Sequence, residues 1–398
     1  MSRKQPSPNG RRLLLALLTI VIAALAISSV RLDSATADEG AHIASGIIKL
    51  RYGWLSFFAE QPPLMNVISA LPLGSFTMPD TWRADLGTRG HWAAGHALLY
   101  ESGNDAYRLL FLARLPTIAL LLALCFVVYF VVAAEAGPWW GVIAFALTGF
   151  CPNLLAHGRL ATVDLAVTAF GFIAFAFLLF GLRQRQLPLS LLAGVFAMCA
   201  VLSKTSGVLF APLFLFLFWR TRAWKHFLPT LLASIATLYI VTFALAGDQY
   251  LAQQFPDTPR ILIPWLQYKQ HADAIRFWYE RGHENPQFLL GQFSKDGWPH
   301  YYFVAFLLKT PLPAIILFVL AVVAALKRRS LAVDASLFFI ALFFAISTTS
   351  KIALGIRYIL PIYPFVYTAI AISLARVVVE KRRAIAVGVL VAWHCIAS

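Results

Sequence analysis

Asp38 and Glu39 stand side by side behind an uncharged apolar run, Leu13 to Val30, that is long enough to cross a bilayer. Ionisable groups so close to hydrocarbon persist where water, a partner or a substrate offsets their cost, which makes them functional candidates. A carboxylate that reaches a hydroxyl can act as a general base, and neighbouring cations can take up charge developing on a phosphate leaving group. Other candidates follow along the chain. His42 and the stretch Glu60-Gln61-Pro62-Pro63-Leu64 share the loop of the acidic pair, Arg159 and Asp164 fall in a tight turn, and Lys204 separates two short apolar runs. His300 and Lys309 flank the start of another run, and Lys351, Arg357 and Tyr358 lead into a later one. Each has a plainer alternative. Asp38 and Glu39 also suit solvated loop acids or a helix start, Asp164 also suits a helix start, and Lys204, Lys309 and Arg357 also suit interface anchors. His42 and His300 fit no metal-binding spacing, and the chain has no GxGxxG, GxSxG or paired Cys/His pattern, so a soluble nucleotide-sugar enzyme and nucleophilic catalysis find no support.

The elements that must carry these residues are membrane helices. The chain has 398 residues, of which 60% are hydrophobic and 13% charged, and its mean hydropathy is +0.73. That balance indicates an all-α polytopic membrane protein folded as a single unit over residues 1–398. Eleven apolar runs are expected to cross: 13–30, 109–134, 139–155, 163–180, 187–202, 208–219, 227–246, 302–326, 331–347, 356–375 and 384–398. The runs 187–202 and 208–219 are short and meet at Ser203-Lys204-Thr205-Ser206-Gly207, which predicts a tilted or broken span. The segment 64–76 is apolar but too short to cross, and is expected to lie in the interface. Four lone cysteines, Cys125, Cys151, Cys199 and Cys395, read as packing residues. Ala35-Thr36-Ala37 resembles a signal-peptide cleavage site, but the preceding apolar run is too long and ends too early for one, so it reads as a retained helix.

Charge sets the expected orientation. With the N-terminus cytoplasmic, the clusters Arg3/Lys4/Arg11/Arg12, Arg183/Arg185, Arg220/Arg222/Lys225, Lys327/Arg328/Arg329 and Arg376/Lys381/Arg382/Arg383 all fall on one side. That side holds 16 of the 33 Lys and Arg residues against three acids, Glu135, Asp334 and Glu380, the bias expected of cytoplasmic loops. Basic residues split among short loops explain a pI near 9.9 without nucleic-acid binding. Two long segments, 31–108 and 247–301, fall on the outer side, as do the candidate site residues.

At those residues the sequence resembles the GT-C glycosyltransferases that use a polyprenyl-phosphate sugar, in the branch of bacterial members akin to protein O-mannosyltransferases and aminoarabinose transferases. The matching segments are Asp38-Glu39-Gly40-Ala41-His42, Glu60-Gln61-Pro62-Pro63-Leu64, Arg159-Leu160-Ala161-Thr162-Val163-Asp164 and Leu202-Ser203-Lys204. Further along come Gly297-Trp298-Pro299-His300-Tyr301-Tyr302, Lys309-Thr310-Pro311-Leu312-Pro313 and the stretch from Arg357-Tyr358 to Pro364. The resemblance implies a GT-C-like bundle and an inverting hexosyl or pentosyl transfer to a hydroxyl on a protein, lipid or glycan. The setting it implies is the outer face of a bacterial inner membrane. Asp38, Glu39 and Asp164 would be catalytic, with Asp38 the base. His42, Glu60, Arg159, Lys204, His300, Lys309, Arg357 and Tyr358 would bind substrate, Arg357 with Lys204 or Lys309 holding the phosphate. A divalent cation, Mg or Mn, is the one cofactor the resemblance leaves open. Gln61 departs from the histidine common before the proline pair, and relatives often continue past the position of Ser398 with further helices or an outer domain. A transporter or lipid flippase is the alternative reading, since charges and broken helices also line transport pathways. A non-catalytic scaffold is a third.

Overall fold

The structure is a computed structural model that describes residues 8–83, 90–281, 286–327, 330–350, 352–378 and 380–397. Lys351 lies outside the described residues, as do Arg3, Lys4, Arg328 and Arg329 of the basic clusters. Each of the eleven apolar runs is mostly helical in its described part, two of them as bent helix pairs. The first is α1 (Pro8–Leu32). The loop that follows carries α2 (Glu39–Tyr52), α3 (Pro63–Ala70) and α4 (Gly90–His96) before the long α5 (Ala106–Ala136). Then come α6 (Pro138–Gly149), α7 (Pro152–Gly158), α8 (Asp164–Gln184), α9 (Leu187–Ser203), α10 (Ala211–Thr221) and α11 (Phe227–Leu245). The second long loop holds α12 (Asp248–Gln254), α13 (Ile263–Arg281) and a small antiparallel hairpin, β1 (Gln287–Leu289) with β2 (Gln292–Ser294). The chain closes with α14 (Tyr301–Lys309), α15 (Leu312–Lys327), α16 (Leu331–Ser347), α17 (Tyr363–Ala375) and α18 (Lys381–Ile396).

Among the described residues five helices are long and apolar enough to cross a membrane, and seven spans result if two bent pairs each count as one. The bends follow from proline. The α6–α7 pair turns by 63° at Cys151-Pro152, and the α14–α15 pair by 114° at Pro311-Leu312-Pro313, where the ring removes a backbone donor and disfavours helix in the residue before it. Three runs form shorter apolar helices, Leu187–Ser203, Thr205–Thr221 and Leu331–Ser347, and the last run lies in the 16-residue α18. The expected break at Lys204 is present: α9 stops at Ser203, Lys204 is extended (φ −152°, ψ 134°), and a 3-10 turn, Thr205–Phe210, leads into α10. The segment 64–76 forms α3 and a 3-10 turn, Leu71–Leu73.

The bundle has a definite inside. In α8 and in the Ile356–Ala375 helix 89% of the apolar window is buried, against 17% in α1 and 22% in the helix containing α11. A helix apolar all round with most of its surface covered belongs at the centre, whereas α1 and α11 turn apolar faces outward. The lone cysteines are free, with Cys125 and Cys151 buried in the bundle core. A second, separate core lies in the two long loops. Ile43, Ile47, Trp54, Leu55, Phe57, Trp82 and Leu98 from the first loop pack with Tyr250, Phe255 and Ile263 from the second. Trp54 and Tyr250 meet edge to face at 5.5 Å, and His271 Nδ1 lies 2.7 Å from the Ala59 carbonyl oxygen. The loops therefore form one folded cap.

That cap is built around buried ionisable groups. Lys49 is fully buried, donates to the Gln61 carbonyl at 2.8 Å, and is pushed down to about 7 by burial, with Glu60 opposing. Burial, aided by the Lys49 charge and opposed by the Ala59 bond, pushes His271 down to about 3 from an ordinary 6.5. Both groups are depressed, so the unfolded chain binds the extra proton between the folded and unfolded values, and stability rises with pH there. Cap stability is expected to fall as pH drops from 6.5 toward 3 through His271, and to rise from about 7 to 10.5 through Lys49. His271→Gln should flatten the acid limb of a thermal-unfolding series; an unchanged acid limb would refute the assignment.

Candidate functional site

The ion pairs of the bundle sort by end. At the C-terminal ends of α5, α8 and α17, Glu135 pairs with Arg183 and, at 3.6 Å, with Arg376. Arg220 and Asp334 pair at 3.1 Å near the same loops. At the opposite ends lie Asp38–Arg357, Asp164–Lys204, Glu39–Arg114 and Asp33–Arg159. Asp38, Glu39, Arg159, Asp164, Lys204 and Arg357 are groups that the sequence assigns to a single face; Arg114 and Asp33 join them in the structure.

Asp38 occupies the N-cap of α2, but its side chain makes no capping bond. The carboxylate instead accepts from Arg357 Nη1 at 2.5 Å and stays 31% exposed. Asp164 opens α8, is buried, and accepts from Lys204 Nζ at 2.6 Å. The two pairs share Tyr358. Lys204 Nζ lies 4.5 Å from its ring centroid and the Arg357 guanidinium 5.9 Å, so both cations rest on one aromatic face-bearing group. Asp164, Arg357, Lys204 and Lys309 all act electrostatically on the His157 ring, which places them in one neighbourhood. The break after Ser203 leaves Lys204 between two helices, where its ammonium reaches Asp164.

Glu39 is placed differently from Asp38. It is fully buried and bonded twice to Arg114, Nε to Oε1 at 2.7 Å and Nη2 to Oε2 at 2.6 Å. It also accepts from the Thr36 amide and hydroxyl, at 2.9 and 3.1 Å, and from the Ala161 amide at 2.9 Å. Burial pushes the Glu39 carboxyl up, but the Arg114 bonds and charge with the two amides overcome it and hold it below the ordinary range. Arg114 completes the bracket by donating to the carbonyls of Val30 (3.2 Å), Asp33 (3.0 Å) and Ser34 (2.9 Å). One guanidinium thus sets the path of residues 30–39, and with it the position of Asp38. Arg114 escaped the sequence reading, although it is the one charge within the run 109–134.

The remaining candidates divide. His42 is buried, with Nδ1 2.9 Å from Asn66 Oδ1. Burial lowers its pKa despite the Asn66 bond and the Asp38 and Asp164 carboxylates. Glu60 is half-buried beside Lys49. Arg159 does not accompany Asp164; it pairs with Asp33 and Ser29 and clips the end of α1 to the α7–α8 turn. His300 and Lys309 are exposed at the two ends of α14, and the Lys309 carbonyl accepts from Asn153 at 2.9 Å. The α2 helix approaches its neighbours closely enough to hold this arrangement: a Cβ on Gly46 would fall 2.0 Å from the Asn66 carbonyl oxygen, and one on Gly95 of α4 would fall 2.5 Å from the Gly40 backbone.

The polytopic bundle with its two-loop cap has the GT-C fold. The family described as dolichyl-phosphate-mannose-protein mannosyltransferase matches residues 108–245. Among solved structures the chain is similar to ArnT from Cupriavidus metallidurans. In the apo state the TM-score is 0.61 at 15% identity, covering 96% of this chain and 63% of that one. Bound to undecaprenyl phosphate the values are 0.62, 15%, 97% and 64%. It is also similar to the archaeal oligosaccharyltransferase AglB from Archaeoglobus fulgidus in complex with an inhibitory peptide and a dolichol-phosphate, with a TM-score of 0.54 at 13% identity, covering 96% and 54%. The chain spans less than two thirds of the length of these structures. A search of curated proteins found no match.

Proposed function

We propose that this chain is an inverting glycosyltransferase that moves a sugar from a polyprenyl-phosphate donor to an acceptor hydroxyl. The observation that carries the reading is the convergence of Asp38–Arg357 and Asp164–Lys204 on Tyr358 at the junction of cap and bundle. Asp38, the more exposed carboxylate, takes the acceptor proton as the hydroxyl oxygen forms its bond to the anomeric carbon. The bond from that carbon to the phosphate oxygen breaks on the opposite face, its electron pair leaves with polyprenyl phosphate, and the configuration inverts. Arg357 and Lys204 receive the charge that grows on the phosphate, where preorganised cations act most strongly. Asp164 holds Lys204 in place, Glu39 positions Asp38 through the Arg114 bracket, and buried His42 bonds Asn66 and so ties α2 to α3. Lys309 adds positive charge at the rim.

A divalent ion fits poorly. Asp38 and Asp164 are already paired with cationic side chains, and among the described residues no group of three His, Cys, Asp or Glu is gathered. For the lipid, an apolar groove of about 350 Å³ between α9, α10 and α11 begins at Gly207, three residues beyond Lys204, and suits a prenyl chain whose phosphate rests at that lysine. The undecaprenyl phosphate held by ArnT and the dolichol-phosphate held by AglB support a donor of this class.

The sorting of basic loops supports a cytoplasmic N-terminus and a site on the outer face of a bacterial inner membrane. Mass spectrometry of glycans and lipids from cells with and without the gene is expected to show one glycosylated species lost and the polyprenyl-phosphate sugar accumulated. Unchanged profiles, together with purified protein that releases no polyprenyl phosphate from such donors, would overturn the reading.

A further inference from the structure

The cap carries a feature that the transfer chemistry leaves unused. An open cleft of about 260 Å³ lies against the first turn of α2. Ala37, Gly40 and Ala41 line one part of it, and Trp92, His96 and Tyr100, from α4 and the turn after it, line another. Trp92 is 44% exposed and Tyr100 62% exposed, so two large aromatic faces stand in the open beside a wall of small residues. Large exposed apolar surface gathered at a concavity marks a binding site.

The cleft is stiff and joined to the catalytic end. The close approach of Gly95 to Gly40 locks α4 against α2. A row of rings runs inward from the cleft: Trp92 to His91 at 5.3 Å, His91 stacked on Phe58 at 4.0 Å, and Phe58 to His42 at 5.1 Å. His96 is oriented by Glu101 Oε1 at 3.0 Å and by the Tyr100 ring at 5.2 Å. The lining residues at 37 and at 40–41 bracket Asp38 in the chain, so base and cleft share one turn of backbone.

We infer that this cleft is the acceptor subsite and takes one pyranose ring of a saccharide acceptor, borne by a glycolipid or by a glycan chain. The inference rests on the transferase reading above. Flat aromatic faces suit the C–H faces of a sugar ring, and the Tyr100 hydroxyl, the Trp92 indole N–H, His96 and Thr36 can meet its hydroxyls. The volume falls just under the ~300–1,000 Å³ of sites for larger ligands, which matches a single ring. An extended peptide fits less well. The α4 wall is helical, and at the loop wall the Thr36 amide and carbonyl are both taken by Glu39, so these walls leave little main chain to pair with a peptide strand.

The test uses the full chain in lipid nanodiscs and saturation-transfer NMR with a panel of methyl pyranosides and a Ser/Thr-containing hexapeptide. Ring protons of at least one glycoside should receive saturation, and binding should weaken about tenfold in Trp92→Ala and in Tyr100→Ala, with partial recovery in Trp92→Phe. Both side chains are exposed, so thermal unfolding of the variants should match the parent; should one variant unfold early, the other decides. Displacement by a glycolipid in the nanodisc assigns the lipid-borne source, and displacement by a soluble oligosaccharide assigns the glycan chain. No saturation with any glycoside, saturation undiminished in both variants, or variant-sensitive saturation of the hexapeptide overturns the inference. Polyprenyl-phosphate binding to the parent protein is measured alongside. Its loss counts against the donor reading alone, whereas donor binding without a glycoside signal counts against the cleft alone.

Discussion

Asp38→Asn is expected to lower sugar transfer by about 10²–10⁴-fold, the range that a general base contributes. The amide keeps the size of the carboxylate and can still accept a bond from Arg357, but it cannot take the acceptor proton. Stability should change little, because the side chain is 31% exposed and makes no capping bond. Binding of polyprenyl phosphate should persist or strengthen, since Arg357 loses its carboxylate partner at 2.5 Å and becomes available to the phosphate. Steady-state transfer with a polyprenyl-phosphate sugar, together with a direct lipid-binding measurement, checks both halves. Transfer within tenfold of the parent would remove Asp38 from the role of base. A parallel loss of lipid binding would instead give Asp38 a structural role.

The second large effect falls on stability. Arg114→Leu strands Glu39 as a buried carboxylate with no cationic partner and releases three backbone carbonyls, and breaking a buried pair from one side costs about 3–5 kcal/mol. The expected result is a sharp fall in the thermal midpoint or a failure to accumulate. Removing both charges, with Glu39→Leu added to Arg114→Leu, should restore part of the loss, because no unpaired ion then remains in the interior. Transfer should stay low in the double variant, since the path of residues 30–39 is no longer set. If the two single losses simply add, the pair is not coupled and the bracket does not position Asp38.

Several parts of this architecture are legible without coordinates because they rest on local physics. All eleven apolar runs are mostly helical in their described parts, the break at Lys204 falls where two short runs meet, and the cysteines are free packing residues. Hydrophobic length and periodicity are properties of a segment, so they need no knowledge of its neighbours. The short runs are where the count of crossings loosens: α9, α10 and α16 are apolar yet below full span length. The cap was legible only as two long polar segments. Its separate core, with Trp54 against Tyr250 and Lys49 beside His271, joins residues about two hundred positions apart.

Partner choice was the least legible. Arg159 and Asp164 lie five positions apart and look like a pair, yet Arg159 turns to Asp33 while Asp164 takes Lys204. Glu39, adjacent to Asp38, points the other way, into the interior and onto Arg114. Consecutive residues at a helix start project about 100° apart, so two neighbouring carboxylates need not share a site, and only the packing of the surrounding helices decides which of them meets solvent. The sequence by itself determined the membrane class, the helical runs and the residue types available for acid–base and phosphate chemistry, because hydropathy and charge are additive along the chain. The tertiary structure alone decided that Asp38 faces Arg357, that Glu39 is locked away, and that Trp92 and Tyr100 flank an open cleft, because each of these depends on long-range approach of helices that no local pattern records.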